Sequence, residues 1–201
     1  ADFSQQTKEY QINLSDAKVV GKTLIISAIP AASGATMTAK LNDGEEVNLT
    51  AASSLSESSG SIELWKSGSQ TQLVHVGANT LTITVTPAGN SEATVYTINI
   101  NVRPTLSTLS VKNGEEELAF DKDFDGDVNA YSLDVWNNVK SLTLSAKERM
   151  TGIAQVTLPA GTKEDGLLDI TNLDSFEVKV GDETASTTYT VTLNKKATYK
   201  A

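Results

Sequence analysis

Apolar and polar residues alternate with period two along most of this chain. In the first half the alternation runs through Tyr10, Ile12 and Leu14, through TLIISA at 23–28, NTLTITV at 79–85 and TVYTININ at 94–101. In the second half it runs through LSTLSVKNG at 106–114, through Tyr131, Leu133 and Val135, and through SLTLSA at 141–146, DSFEVKV at 174–180 and TTYTVTLN at 187–194. Side chains spaced by two share one face of a strand, so each run predicts a strand with one buried and one solvated face. Turn residues stand between the runs: Asn42-Asp43-Gly44, Ala88-Gly89-Asn90, Asn113-Gly114, Asp165-Gly166 and Gly181-Asp182. Helical periodicity is nearly absent; AKERM at 146–150 predicts one helical turn at most. Many short strands joined by such turns predict an all-β sandwich architecture.

The order of the strands repeats. Phe3 stands seven residues before Tyr10, and Phe124 seven before Tyr131. Each tyrosine opens an alternating run; TLIISA then matches SLTLSA, NTLTITV matches DSFEVKV, and the strand at 94–101 matches the one at 187–194. Four strands corresponding in the same order predict two tandem copies of one domain, 1–103 and 104–201. The break near Arg103 and Pro104 suits a proline, which lacks a ladder donor and holds its neighbour extended. The copies differ in two places. The second has a leading strand, 106–114, with Leu109 and Val111 facing the core, and a short tail after Asn194. The first has nothing comparable before Phe3 but carries an insert near 51–72. Within that insert, SIELW at 61–65 alternates like an edge strand. Either it or a strand upstream of Ala1 fills the leading position in the first domain.

These residues resemble the bacterial cadherin-like β-sandwich domain family. The second copy supplies Leu106, Leu109, Val111, Gly114, Phe124 and Tyr131, with a Tyr189, Val191, Leu193 ending. The first supplies Phe3, Tyr10, Gly77, Asn79, Tyr96, Ile98 and Ile100. Asn172 departs from the pattern where Gly77 follows it. The resemblance implies two tandem Ig-like, cadherin-like antiparallel β-sandwiches. It also implies a place in bacterial surface proteins or secreted enzymes, as spacer, adhesive or glycan-associated segments of a larger chain.

Composition narrows the partners. With 16 basic against 25 acidic residues the net charge is −9, which leaves nucleic-acid phosphates without a cationic counterpart. No run reaches the eighteen or more apolar residues of a membrane span, so no membrane insertion by this segment is expected. The absence of cysteine excludes disulfides and thiolate metal sites.

Three constellations carry candidate chemistry. Asp121, Asp123 and Asp125, followed by Gly126, imitate the first half of a calcium loop. The twelfth position is Ser132 instead of the bidentate glutamate, and a strand follows where a helix should. Calcium is the one cofactor the pattern raises; otherwise none is expected. Trp65 and Trp136 are candidates for stacking on sugar rings, and Trp136 falls out of phase with Tyr131, Leu133 and Val135, so it should point away from the core. His75, the sole histidine, stands in LVHVG on the expected polar face of a strand, with no Gly-x-Ser-x-Gly elbow in the chain. The expectation is a non-enzymatic extracellular or cell-surface module that spaces or adheres, its partner a surface protein or glycan. The alternatives are a carbohydrate-binding module and a calcium-stiffened adhesin.

Overall fold

The alternating runs become strands whose apolar phase is buried in the second unit and less completely so in the first, and they gather into two compact units, Ala1–Val102 and Arg103–Ala201. The computed structural model describes residues 3–51, 57–64, 73–89 and 92–197. The fold is all-β: among the described residues the only helical piece is a single 3-10 turn, Asp16–Lys18.

The first unit contains β1 (Glu9–Ser15), β2 (Thr23–Ala28), β3 (Thr36–Leu41), β4 (Val47–Ala51), β5 (Ser58–Glu63), β6 (Gly77–Thr86) and β7 (Thr94–Arg103). They form one sheet in the order β1-β7-β6-β3-β4-β5-β2. Residues 47–49 of β4 pair with β3, whereas residues 50–51 pair with β5. β4 thereby joins the β1-β7-β6-β3 part of the sheet to the β5-β2 part. The core takes Met37, Ala39 and Leu41 from β3, Leu49 from β4, Ile62 from β5, Leu81 from β6 and Ile100 and Val102 from β7. β5 pairs antiparallel with β2, Leu24 opposite Ile62. The strand therefore ends at Glu63, before Trp65, which lies outside the described residues together with most of the insert.

His75 is not on a strand, as its alternating neighbours suggested. Residues 73–76 precede β6 as irregular backbone, held by Asn79, which is 2% exposed. The Asn79 carboxamide oxygen accepts from His75 N at 2.8 Å and from Asn42 Nδ2 at 2.9 Å, and its nitrogen donates to His75 O at 2.8 Å. A buried amide satisfied in this way substitutes for the missing ladder. Asn42 has φ +49°, a left-handed geometry that asparagine tolerates, and Gly44 N closes the β3–β4 turn on Leu41 O at 2.9 Å.

The second unit contains β8 (Leu106–Asn113), β9 (Glu116–Leu118), β10 (Ala130–Trp136), β11 (Ser141–Glu148), β12 (Gln155–Thr157), β13 (Leu167–Asp169), β14 (Ser175–Gly181) and β15 (Ser186–Lys196). Two four-stranded sheets result, β10-β15-β14-β12 and β13-β11-β8-β9. Their inner faces carry Tyr131, Leu133, Val135, Phe176, Val178, Tyr189 and Val191 on one side, and Leu106, Leu109, Val111, Leu142, Leu144 and Leu168 on the other, all buried. Each fully buried leucine contributes about 1.5–3 kcal/mol by leaving water.

Two local expectations are corrected here. The sandwich is not wholly antiparallel, because β10 and β15 pair in parallel, Tyr131 opposite Val191 and Leu133 opposite Leu193. Strands this far apart in sequence are not bound by hairpin geometry. AKERM forms no helical turn either: β11 runs on to Glu148, and Arg149 N donates to Thr105 O at 3.0 Å. Pairing with β8 overrides the helical propensity of five residues.

Candidate functional site

The residues shared between the units build the same local arrangement twice. In the first unit Ser4 N donates to the Tyr10 hydroxyl at 2.8 Å, and the hydroxyl donates to Ser4 O at 2.8 Å. In the second, Asp125 N donates to the Tyr131 hydroxyl at 2.8 Å, and that hydroxyl donates to Asp125 O at 2.7 Å. Each tyrosine thus satisfies both backbone groups of the residue six positions earlier. Phe3 packs on Tyr10 and Tyr96 with ring centroids 5.9 and 5.4 Å apart; Phe124 packs on Tyr131 and Tyr189 at 5.4 and 5.9 Å. Thr97 N donates to Lys8 O at 2.7 Å, and Thr190 N to Asn129 O at 2.8 Å. These groups are spent on packing and on tying loops to strands.

The acidic loop is spent in a similar way. The Asp121 carboxylate accepts from Ser132 N at 2.7 Å and that of Asp125 from Asp127 N at 2.9 Å, while Asp127 pairs with Arg103 Nη2 at 2.6 Å. Among the described residues no three metal-ligating side chains gather, so Asp121, Asp123 and Asp125 are not brought to one point. Gly126 has a different explanation from the sharp bend of a metal loop. A Cβ there would lie 2.5 Å from Leu106 O, and Gly126 O accepts from the buried Tyr189 hydroxyl at 2.7 Å. The glycine lets the loop approach the leading strand. Burial, opposed by the backbone hydrogen bond at Asp125 and reinforced by the Asp125 and Asp121 charges, pushes the Tyr131 phenol above its ordinary range.

Trp136 stands on the outer face of the β10–β15 pair and is 57% exposed, whereas Tyr131, Leu133 and Val135 are buried. Parallel pairing sets Lys196 beside Trp136 and Asn194 beside Asp134. Asp134 Oδ1 accepts from Asn194 Nδ2 at 3.1 Å and lies 3.4 Å from Lys196 Nζ. Asp134, Val135, Trp136 and Lys196 line a shallow hollow. Ser132 and Thr192 continue the polar face away from the indole. An aromatic surface flanked by amide, carboxylate and ammonium groups is suited to stack on an apolar sugar face and hydrogen-bond its rim hydroxyls. Asp134, Asn194 and Lys196 escape the sequence reading because only the pairing of the unit's distant strands brings them together. The usable signal was that Asp134 shares its phase with Trp136.

His75 is exposed, and its described hydrogen bonds are made by its backbone. No helix among the described residues is long and apolar enough to cross a membrane.

No family model and no curated protein sequence matches the chain. Solved structures of Ig and cadherin domains do align with it. An I-band fragment of titin aligns over 97% of this chain and 65% of its own, with 9% identity and a TM-score of 0.34. The mouse clustered PcdhgC3 EC1-3 structure aligns over 96% of this chain and 67% of its own, with 13% identity and a TM-score of 0.33. Drosophila N-cadherin EC1-4 aligns over 94% and 48%, with 13% identity and a TM-score of 0.33. The chain thus spans about two thirds or less of these structures. At such identities and scores the likeness carries no functional argument.

Proposed function

We propose that this chain is a non-enzymatic segment of an exported bacterial surface protein, made of two copies of one sandwich module, which spaces other parts of the molecule and adheres through its exposed faces. One observation supports this most: the arrangement built in both units consists of a tyrosine, a phenylalanine and a second tyrosine that serve packing, while the exposed faces differ. Trp136 has Ser15 as its counterpart, five residues after the respective tyrosine. A repeated aromatic arrangement with unlike surfaces is the design of a scaffold whose contacts are set by strand faces and loops. The acidic surface keeps such a segment soluble and repels anionic envelopes. A load-bearing spacer, held by its two ends and stretched, must resist in discrete steps and refold on release; smooth extension without steps contradicts the spacer role.

A second reading is favoured by Trp136. Its exposure beside Asp134, Asn194 and Lys196 supports a face for neutral polysaccharides, since the nearby carboxylate and ammonium offset each other. Affinity electrophoresis against a panel of neutral polysaccharides tests it. Retardation by one of them, weakened at least about tenfold in Trp136→Ala, equivalent to about 1.4 kcal/mol, is the expected outcome; unchanged mobility with every polysaccharide ends this reading.

A further inference from the structure

In four places glycine follows asparagine or aspartate: Asp43-Gly44, Asn113-Gly114, Asp125-Gly126 and Asp165-Gly166. In each, the glycine nitrogen can close a five-membered ring on the side-chain carbonyl carbon of the residue before it, because no Cβ shields that nitrogen. Three of the four are engaged. Gly44 N donates to Leu41 O at 2.9 Å and Gly166 N to Lys163 O at 2.9 Å, so those nitrogens are held. The Asp125 carboxylate accepts from Asp127 N at 2.9 Å, and Leu106 O closes the space beside Gly126.

Asn113-Gly114 is the exception. Among the described residues neither the Asn113 carboxamide nor Gly114 N has a hydrogen-bond partner. Asn113 ends β8 and is partly exposed, and a Cβ at Gly114 would meet no atom within 4 Å. Gly114 and Glu115 make the two-residue turn to β9, with Gly114 at φ +61°. β9 is a three-residue strand at the end of its sheet, so the turn opens at little cost.

We propose that Asn113 modifies itself, passing without any enzyme to aspartate and isoaspartate. Gly114 N gives its proton to water and attacks Asn113 Cγ. The N–Cγ bond forms as the bond from Cγ to the amide nitrogen breaks, and ammonia leaves with a proton from water. A second water then opens the cyclic imide: attack at one carbonyl gives aspartate, attack at the other gives a backbone that runs through the β-carbon. One water is consumed and one ammonia released, with nothing oxidised or reduced. The product carries a negative charge directly opposite Glu116 and two residues from Glu115. Like charges facing each other across a strand pair repel, so β9 loosens as the chain ages. This goes beyond the adhesive reading and does not depend on it.

The test holds the full chain at neutral and at mildly alkaline pH and follows its asparagines by peptide mass mapping, with fragmentation that separates aspartate from isoaspartate. The peptide containing Asn113 should gain about one mass unit as an amide becomes an acid. It should do so at least about tenfold faster than the peptide containing Asn42, whose carboxamide is held by Asn79 and Thr80. The rate should rise about tenfold per pH unit, because the attacking nitrogen must first lose its proton. Asn113→Gln, which would need a larger ring, should show no gain at that position. In the aged chain, amide exchange at Glu116 and Leu118, which pair with β8, should quicken relative to the fresh chain. No gain at Asn113, a gain no faster than at Asn42, or an equal gain in Asn113→Gln overturns the site. Unchanged exchange at Glu116 and Leu118 in fully converted protein overturns the loosening of β9.

Discussion

The Tyr10 and Tyr131 hydroxyls make the same two hydrogen bonds but sit in different surroundings, and that difference sets what each is worth. Tyr131 is buried, so Tyr131→Phe removes from Asp125 N and O a partner held beneath the surface. The expected cost is about 1–3 kcal/mol, seen as a lower urea midpoint for the second unit. Tyr10 is half-buried, so water replaces its hydroxyl more readily and Tyr10→Phe should cost the first unit well under about 1 kcal/mol. Equal losses would show that burial does not decide the value of this bond. The same phenol has a pH signature. Burial raises the folded-state pKa of Tyr131 above its unfolded value of about 10, so folding favours the protonated form. That contribution is complete below about pH 10 and is lost as pH rises through the raised value. Urea melts across the alkaline range should show the second unit weakening, and Tyr131→Phe should remove that part of the slope.

At the scale of elements, the loop from Asp121 to Ser132 reads as half a calcium site but behaves as a covering strand and turn. Its carboxylates cap backbone groups, so thermal melting with calcium and with chelator should superimpose; a higher melting temperature in calcium would show that these carboxylates turn toward a cation. The long alternating strands β6, β7, β8, β10, β14 and β15 were legible because burial of one face imposes period two. β9, β12 and β13 were not, since each has three residues, too few to display a period. β3 and β4 were overlooked although TMTAKL alternates, its buried Met37, Ala39 and Leu41 being interleaved with threonines and a lysine. His75 was misplaced for a related reason: LVHVG alternates, but the side chain of Asn79 takes its backbone groups. The phase of Trp136 gave its exposure, while the neighbours Asp134, Asn194 and Lys196 depended on a parallel pairing that no local pattern announces.

For the whole molecule, the same phenylalanine and two tyrosines recur in each of two compact units. The first unit leaves Phe3, Ile12 and Ile25 substantially exposed, whereas among the described large apolar side chains of the second only Trp136 is so exposed. Less apolar area removed from water means less stability, so the first unit should yield before the second. Stretching the chain by its ends measures this directly. Each unit holds about 100 residues, and about 3.5 Å per extended residue makes each release about 300 Å of new contour length. The account predicts two such steps, with the weaker one abolished first by mild urea. One step releasing the whole chain at once would contradict it, since that is the behaviour of a single continuous core.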